Sequence, residues 1–267
     1  MARPVIAFLT DFGTKDHYAG TVKGVVLSIC PEAACVDITH EVPPHDVMAG
    51  ALELAAAYKY FPPGTVFVVV VDPGVGSARR PIAAEAGGYR FVAPDNGVLT
   101  LVFRETPPTR VVELMERRYA RPTVSRTFEG RDRFGPAAAW LAKGIELSAF
   151  GRTLIDWQTL NVPEPIVTDE EMIVEVVRVD RFGNLVTNVD RRAFDRFVNA
   201  DRIEIAAGTA TVGAVVMTYA DADPGALCAL FGSSEHLEIA VNGGSAGERL
   251  ALGRGARVTI SQLNQEA

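Results

Sequence analysis

A run of apolar residues from Val66 to Val71, VFVVVV, restricts this chain more than any other stretch. It is β-branched and aromatic without a polar break, so it fits a strand buried on both faces, the kind found in parallel sheets. Pro73 lacks a ladder donor and Gly74 and Gly76 loosen the backbone, so the strand is expected to end at Asp72. Ligands of open α/β sheets sit beyond the carboxyl ends of strands, which would put Asp72 at the mouth of a site. Asp-Pro-Gly is equally ordinary turn chemistry. This stretch alone does not choose between the two.

The surrounding pattern extends the same architecture. Val5 to Leu9 reads as a first strand ending in Thr10-Asp11-Phe12-Gly13, so a second aspartate arrives at a strand end. Tyr18, Val22, Val25, Val26 and Ile29 recur at helical spacing until Pro31, with Asp16 placed as a possible cap. A strand over Ala34–Thr39 and an alanine-rich helix over Asp46–Tyr60, closed by Pro62-Pro63-Gly64, complete a βαβαβ order. Ile82–Ala86 and Tyr89–Ala93 flank Gly87-Gly88 as a hairpin, followed by a short helix from Val98, a strand at Val111–Leu114 and a helix over Phe134–Lys143. The expected fold is an N-terminal Rossmann-like α/β domain, residues 1–162, with a mostly parallel sheet flanked by helices. A linker over 163–171 carries Pro163 and Pro165. From Met172 to the end the pattern becomes MIVEVVRV, LVTNV, RIEIAA, TVGAVV, LEIAV and ARVTISQL, an all-β barrel or sandwich over 172–267.

Composition narrows the class of partner. A formal net charge of −7, with no block of Lys or Arg, disfavours a nucleic-acid backbone. Cys30, Cys35 and Cys228 form no CxxC and are odd in number, so no disulfide framework or cysteine zinc site is indicated. None of the four histidines has metal-ligand spacing. No metal and no cofactor are expected. The opening MARPVIAFLTDFG reaches an aspartate too soon for a signal peptide, and no stretch approaches the roughly 18 apolar residues of a membrane span. The expected setting is cytoplasmic, away from membranes.

The segments TDFGTKDHYAGTVKGV, VVDPGVGSARRP, APDNG, TFEGRD, RFGNLVTN and LEIAVNGGSA occur in the order found in the SAM hydroxide adenosyltransferases, and the chain resembles that family over nearly its whole length. These SAM hydrolases are related to fluorinases and chlorinases. The resemblance implies cleavage of S-adenosyl-L-methionine (SAM) by water at the ribose 5′ carbon, giving adenosine and L-methionine. It also implies a homotrimer whose sites lie at subunit interfaces, between the N-terminal domain of one chain and the C-terminal domain of its neighbour. Its water-handling Asp and Arg fall on Asp72 and Arg79. The third member, a histidine in TFHGRD, is replaced by Glu129. A natural carboxylate variant, an introduced substitution and a SAM binder with impaired turnover all fit that replacement. Two carboxylates at one site would favour a shared proton unless Arg79 lies between them.

For the substrate, the resemblance implies Asp11 on the ribose hydroxyls, with Asp16, His45 and Phe128 lining the reaction pocket. Asp180, Phe182 and Asn184 would hold the methionine end and the adenine. Ser233, Glu238, Val241, Asn242 and Gly243 match the adenine-binding loop and strand. Asp11 also reads as a turn aspartate, His45 as a plain loop residue, and Glu238 and Val241 as ordinary strand positions. Arg80 reads as solvated or structural. Halogenation at the same carbon is the rival within the enzyme class; related halogenases carry tyrosine where Asp72 stands, and fluorinases carry an additional loop. A dinucleotide-dependent oxidoreductase is disfavoured because DPGVGSA lacks the GxGxxG spacing.

Overall fold

Alternate side chains of the central valine strand enter two different cores. Val66, Val68 and Val70 pack with Val22, Val26, Ala138 and Leu141, while Phe67, Val69 and Val71 pack with Leu54, Val98 and Val102. All five residues of the strand are buried. A one-sided strand would expose every second residue; this one separates two helix layers. The computed structural model describes residues 3–199, 202–212 and 215–263. It comprises two units, Met1–Asn161 and Val162–Ala267.

In the first unit β1 (Val5–Thr10), α1 (Tyr18–Ile29), β2 (Ala34–Thr39), α2 (Val47–Ala57) and β3 (Val66–Val70) follow the expected order. β4 (Pro81–Ala86), β5 (Tyr89–Pro94), α3 (Thr100–Glu105), β6 (Arg110–Glu113) and α4 (Gly135–Ala142) complete it. The sheet order is β2-β1-β3-β5-β4-β6, with β1, β2, β3 and β5 paired in parallel and β4 antiparallel to both neighbours. The chain leaves β1 toward β2 and returns to β3 on the other side. The crevice between the β1 and β3 ends is therefore a topological switch point. Asp16 does not cap α1: the N-cap is His17, which makes no side-chain cap hydrogen bond, and Asp16 is exposed. Asp46 does cap α2, accepting from Ala49 N at 3.0 Å.

The second unit contains β7 (Ile166–Val167), β8 (Glu171–Val179), β9 (Leu185–Asp190), α5 (Arg191–Phe197), β10 (Arg202–Ala207), β11 (Ala210–Val212), β12 (Leu227–Phe231), β13 (His236–Val241), α6 (Ala246–Leu250) and β14 (Arg257–Leu263). The strand order β11-β10-β14-β8-β9-β13-β12 is antiparallel throughout, with β7 on β8. β8 turns the corner: Glu171–Glu175 pair with β14, and Val176, Arg178 and Val179 pair with β9, with a register shift between Val176 and Arg178. A bridge from Val215 to Ala229 ties the end beyond β11 to β12, so the sheet nearly closes into a barrel. The expected strand over 211–216 is present at Thr211 and Val212; Gly213 and Ala214 lie outside the described residues. β7, β12, α5 and α6 escape the sequence reading, α5 and α6 because five to seven residues are too few to show a helical period. Phe194 and Phe197 of α5 nevertheless enter the barrel core.

Candidate functional site

Parallel pairing of Thr10 with Val70 brings the ends of β1 and β3 side by side, so Asp11 and Asp72 emerge at one edge. Between them lies a cleft of about 260 Å³ lined by Asp11, His45, Asp72, Phe128 and Glu129, among others. The DPGVGS turn brings Arg79 back onto Asp72. Nε donates to Oδ1 at 2.9 Å and the outer guanidinium nitrogen pairs with Oδ2, a bidentate fork that engages both carboxylate oxygens. The same guanidinium lies 2.5 Å from Glu129 Oε2, so Arg79 sits between the two carboxylates. All three side chains are largely buried, with 5% of Asp72, 10% of Arg79 and 13% of Glu129 exposed. Burial pulls the Arg79 guanidinium down, but the bonds and charges of Asp72 and Glu129 outweigh it and hold its pKa above the ordinary arginine value. Its flat face lies 5.3 Å from the Phe134 ring centre.

Glu129 precedes a π-helical turn, Gly130–Phe134, that leads into α4. Widened turns of this kind recur at functional sites because they redirect side chains. Here the turn sets Arg133 against Glu129, Nε to Oε1 at 3.0 Å, although the N–H is not aimed along that line and makes no hydrogen bond. Phe128 is buried edge-on against Phe12 and Tyr18, with ring centres 5.9 and 5.1 Å apart. On the opposite wall Asp11 Oδ2 accepts from His45 N at 2.9 Å, fixing His45 at φ 68°, a backbone conformation few non-glycine residues adopt. Arg80 turns away to Asp95 at 2.6 Å and Asp156 at 3.1 Å, the structural role open to it in the sequence. Asp16 makes none of the described contacts of this cleft.

The second unit gathers a separate polar network. Asp180 Oδ1 accepts from Phe182 N and Asn184 N at 2.9 Å each, and Asn184 Nδ2 donates to Asp180 Oδ2 at 2.9 Å. Asn184 also reaches the Tyr219 hydroxyl at 3.4 Å, and that hydroxyl donates to Glu238 Oε2 at 2.9 Å. Phe182 projects outward, 77% exposed. Ser233 lies before β13, whereas Val241, Asn242 and Gly243 lie at its far end, a strand of about 17 Å away. Asn242 donates to Ala222 O at 2.7 Å, and Gly243 takes φ 76° in the turn that returns to Gly244. Tyr219 joins the network without any sequence signal: it sits in the polar stretch TYADADP, with no periodicity or motif to mark it. Phe12 and Tyr18 lie inside the TDFG…HYAG segment and were legible as its aromatic members. Among the described residues no group of three or more His, Cys, Asp or Glu is arranged to hold a metal ion. No helix among them is long and apolar enough to cross a membrane.

Burial raises the Glu238 pKa, the Tyr219 bond opposes the shift, and the Asp180 charge adds to it, with Arg178 and His236 pulling the other way. Tyr219 is itself pushed up to about 12 by burial and by its bond to Glu238. A carboxyl whose folded pKa is raised binds its proton more tightly in the native state. Its stabilisation is complete below the unfolded pKa and is lost as pH rises through the folded one. Glu238→Gln keeps an oxygen for Tyr219 and removes that loss. The variant should therefore be more stable than the parent at about pH 8 and lose the advantage near pH 4, read from urea midpoints across that range.

Comparison with known proteins agrees along both units. Residues 6–151 match the model of the SAM hydroxide adenosyltransferase N-terminal domain, and residues 174–259 that of the C-terminal domain. An (R)-S-adenosyl-L-methionine hydrolase from Thermus thermophilus is 39% identical over 266 residues, covering 97% of this chain and 99% of its own. A fluorinase from Nocardia brasiliensis is 29% identical over 297 residues, covering 97% of each. The crystal structure of an uncharacterized conserved protein from Thermotoga maritima superposes with a TM-score of 0.91 at 40% identity, covering 96% of this chain and 100% of that one.

Proposed function

Because this chain belongs to the SAM hydroxide adenosyltransferase family, we propose that it hydrolyses SAM at the ribose 5′ carbon, yielding adenosine and L-methionine. The observation that carries this reading is the buried Asp72–Arg79–Glu129 cluster at the wall of a cleft on the β1/β3 switch point. A sulfonium departs as a neutral thioether, so the leaving group needs no acid. The task is to hold a weak nucleophile in line with the C5′–S bond and partly strip its solvent. In this reading Asp72 orients the water and draws off positive charge as its O–H weakens, while Arg79 stabilises the developing hydroxide. Glu129 takes the third place beside them.

The cleft is small for a whole nucleoside with its amino-acid tail, in keeping with a site completed by a neighbouring subunit of a homotrimer. In that assembly Asp11 offers Oδ1 to the ribose, since Oδ2 is engaged by His45 N. His45 and Phe128 line the reaction pocket. The neighbour's copy of the Asp180–Phe182–Asn184 loop receives the methionine end and the adenine, with Glu238, Val241, Asn242 and Gly243 flanking the adenine, while Ser233 lies at the opposite end of β13 from Val241.

Chemistry at the cleft disfavours the halogenase reading. Asp72 and Glu129 face the position a halide would take, and at about 4 Å a partly screened like-charge pair costs a few kcal/mol. The test is incubation with SAM in chloride-containing buffer followed by chromatography. Adenosine and methionine in equal amounts are expected. A 5′-halo nucleoside would replace the hydrolase by a halogenase, and quantitative recovery of SAM would leave a binding protein with impaired turnover.

A further inference from the structure

Hydrolysis of a sulfonium by water releases one proton per turnover, and in the proposed reaction that proton appears in the cleft beside Asp72 and Glu129. Behind that cleft lies a larger cavity of about 740 Å³, open to solvent and lined by Ser77, Thr123, Arg117, Arg121, Arg126 and Arg133 among its polar residues. Among the described residues, Glu129 is the one that lines both spaces. Its two oxygens face opposite ways: Oε2 meets Arg79, on the Asp72 side, and Oε1 meets Arg133, on the far side. Asp72 has both oxygens in the Arg79 fork and does not reach the second cavity.

We propose that Glu129 is the proton exit of this enzyme, passing the released proton from the reaction cleft into the arginine-lined cavity behind it, with Arg133 as the positioning residue that holds it across the wall. The proposal rests on the hydrolase reading above. The water oxygen forms its bond to C5′, the C5′–S bond breaks with its electron pair going to sulfur, and the water's proton passes to the Glu129 carboxylate. A base in the second cavity then removes it, restoring the carboxylate. The four guanidinium groups of that cavity outnumber the two carboxylates of its lining, Glu116 and Glu129, so the cavity repels cationic carriers and attracts anions, and the carrier on that side is an anionic base. Arg133 is suited to the holding role because its Nε contacts Oε1 by charge without closing a hydrogen bond, which leaves that oxygen a lone pair for the outgoing proton.

Single-turnover hydrolysis of saturating SAM tests this. Glu129→Ala should slow adenosine formation by roughly 100-fold, and added formate should restore most of the rate with saturating dependence, imidazole much less. Thr123→Trp, placed at the exposed lining of the second cavity, should abolish the formate rescue when combined with Glu129→Ala. Glu129→Gln, which keeps the side-chain volume, should be as slow as Glu129→Ala but refractory to formate, and it serves as the control for a folding defect. Absence of rescue in Glu129→Ala, or rescue that is indifferent to Thr123→Trp, overturns the exit while leaving the hydrolase intact. A parent protein that forms no adenosine overturns the hydrolase reading itself.

Discussion

Asp72→Asn is expected to lower the rate of adenosine formation by about 100- to 10,000-fold, the range in which a positioned acid or base contributes. Binding of SAM should change by less than about threefold, because in the proposed reaction the side chain acts on the nucleophile and does not anchor the substrate. The change removes the charge from the centre of a buried fork in which Arg79 engages both oxygens. An asparagine offers one acceptor and an NH₂ group that points its hydrogens at the guanidinium. Arg79 then turns further toward Glu129, already 2.5 Å away, so under the proposed mechanism the nucleophile would lose both its anionic partner and the placement of its cationic one. Breaking a buried pair typically costs about 3–5 kcal/mol, and Glu129 offsets part of this, so thermal stability should fall while the protein remains folded. Single-turnover kinetics and calorimetric SAM binding on one preparation separate the two effects. A variant that hydrolyses SAM within about threefold of the parent rate would remove Asp72 from the chemistry.

Gly183→Ala should be the most damaging single methyl in the barrel unit. Gly183 takes φ 85°, and an added Cβ would lie 2.9 Å from Ser245 Cα and closer still to its side chain. The backbone conformation alone costs an L-residue about 1–2 kcal/mol, and the clash presses on the N-cap of α6, where Ser245 accepts from Glu248 N. Neighbouring bonds leave little room to yield. Asp180 Oδ1 holds the amides on both sides of Gly183, and the Gly183 carbonyl receives Gly247 N at 2.9 Å. A loss of at least about 3 kcal/mol, or more than about 10 °C in Tm, is expected. If the Asp180–Asn184 loop receives the methionine end, KM for SAM should rise by more than kcat falls. Loss confined to kcat would point away from that role.

The helices and strands that surround the cleft were legible because their signals are local. Six uninterrupted, mostly β-branched apolar residues fit a strand packed on both faces better than a one-sided strand or a helix, and the structure divides their side chains between two cores accordingly. The aspartates closing β1 and β3 could be placed at strand ends by the breakers that follow them, Gly13 and Pro73-Gly74. Two aspartates at strand ends suggested one shared cleft, and the parallel pairing of Thr10 with Val70, about 60 residues apart in the chain, makes those ends immediate neighbours, a register that no spacing encodes. The same limit hid β12 and the short helices, whose few residues depend on the barrel for their stability.

Residue identity along the chain thus determined the family, the alternation of helix and strand in the first unit and the barrel-forming pattern of the second. Tertiary structure alone decided what Glu129 faces: Arg79 from the turn after β3 on one side, Arg133 from the π-helical turn on the other, and a cavity beyond each. It alone joined Tyr219 to Asn184 and Glu238. The physical reason is range. Propensity, capping and periodicity act within a few residues and can be read in order, whereas an ion pair or a cavity wall depends on where packing brings distant segments, and only the folded chain has that geometry.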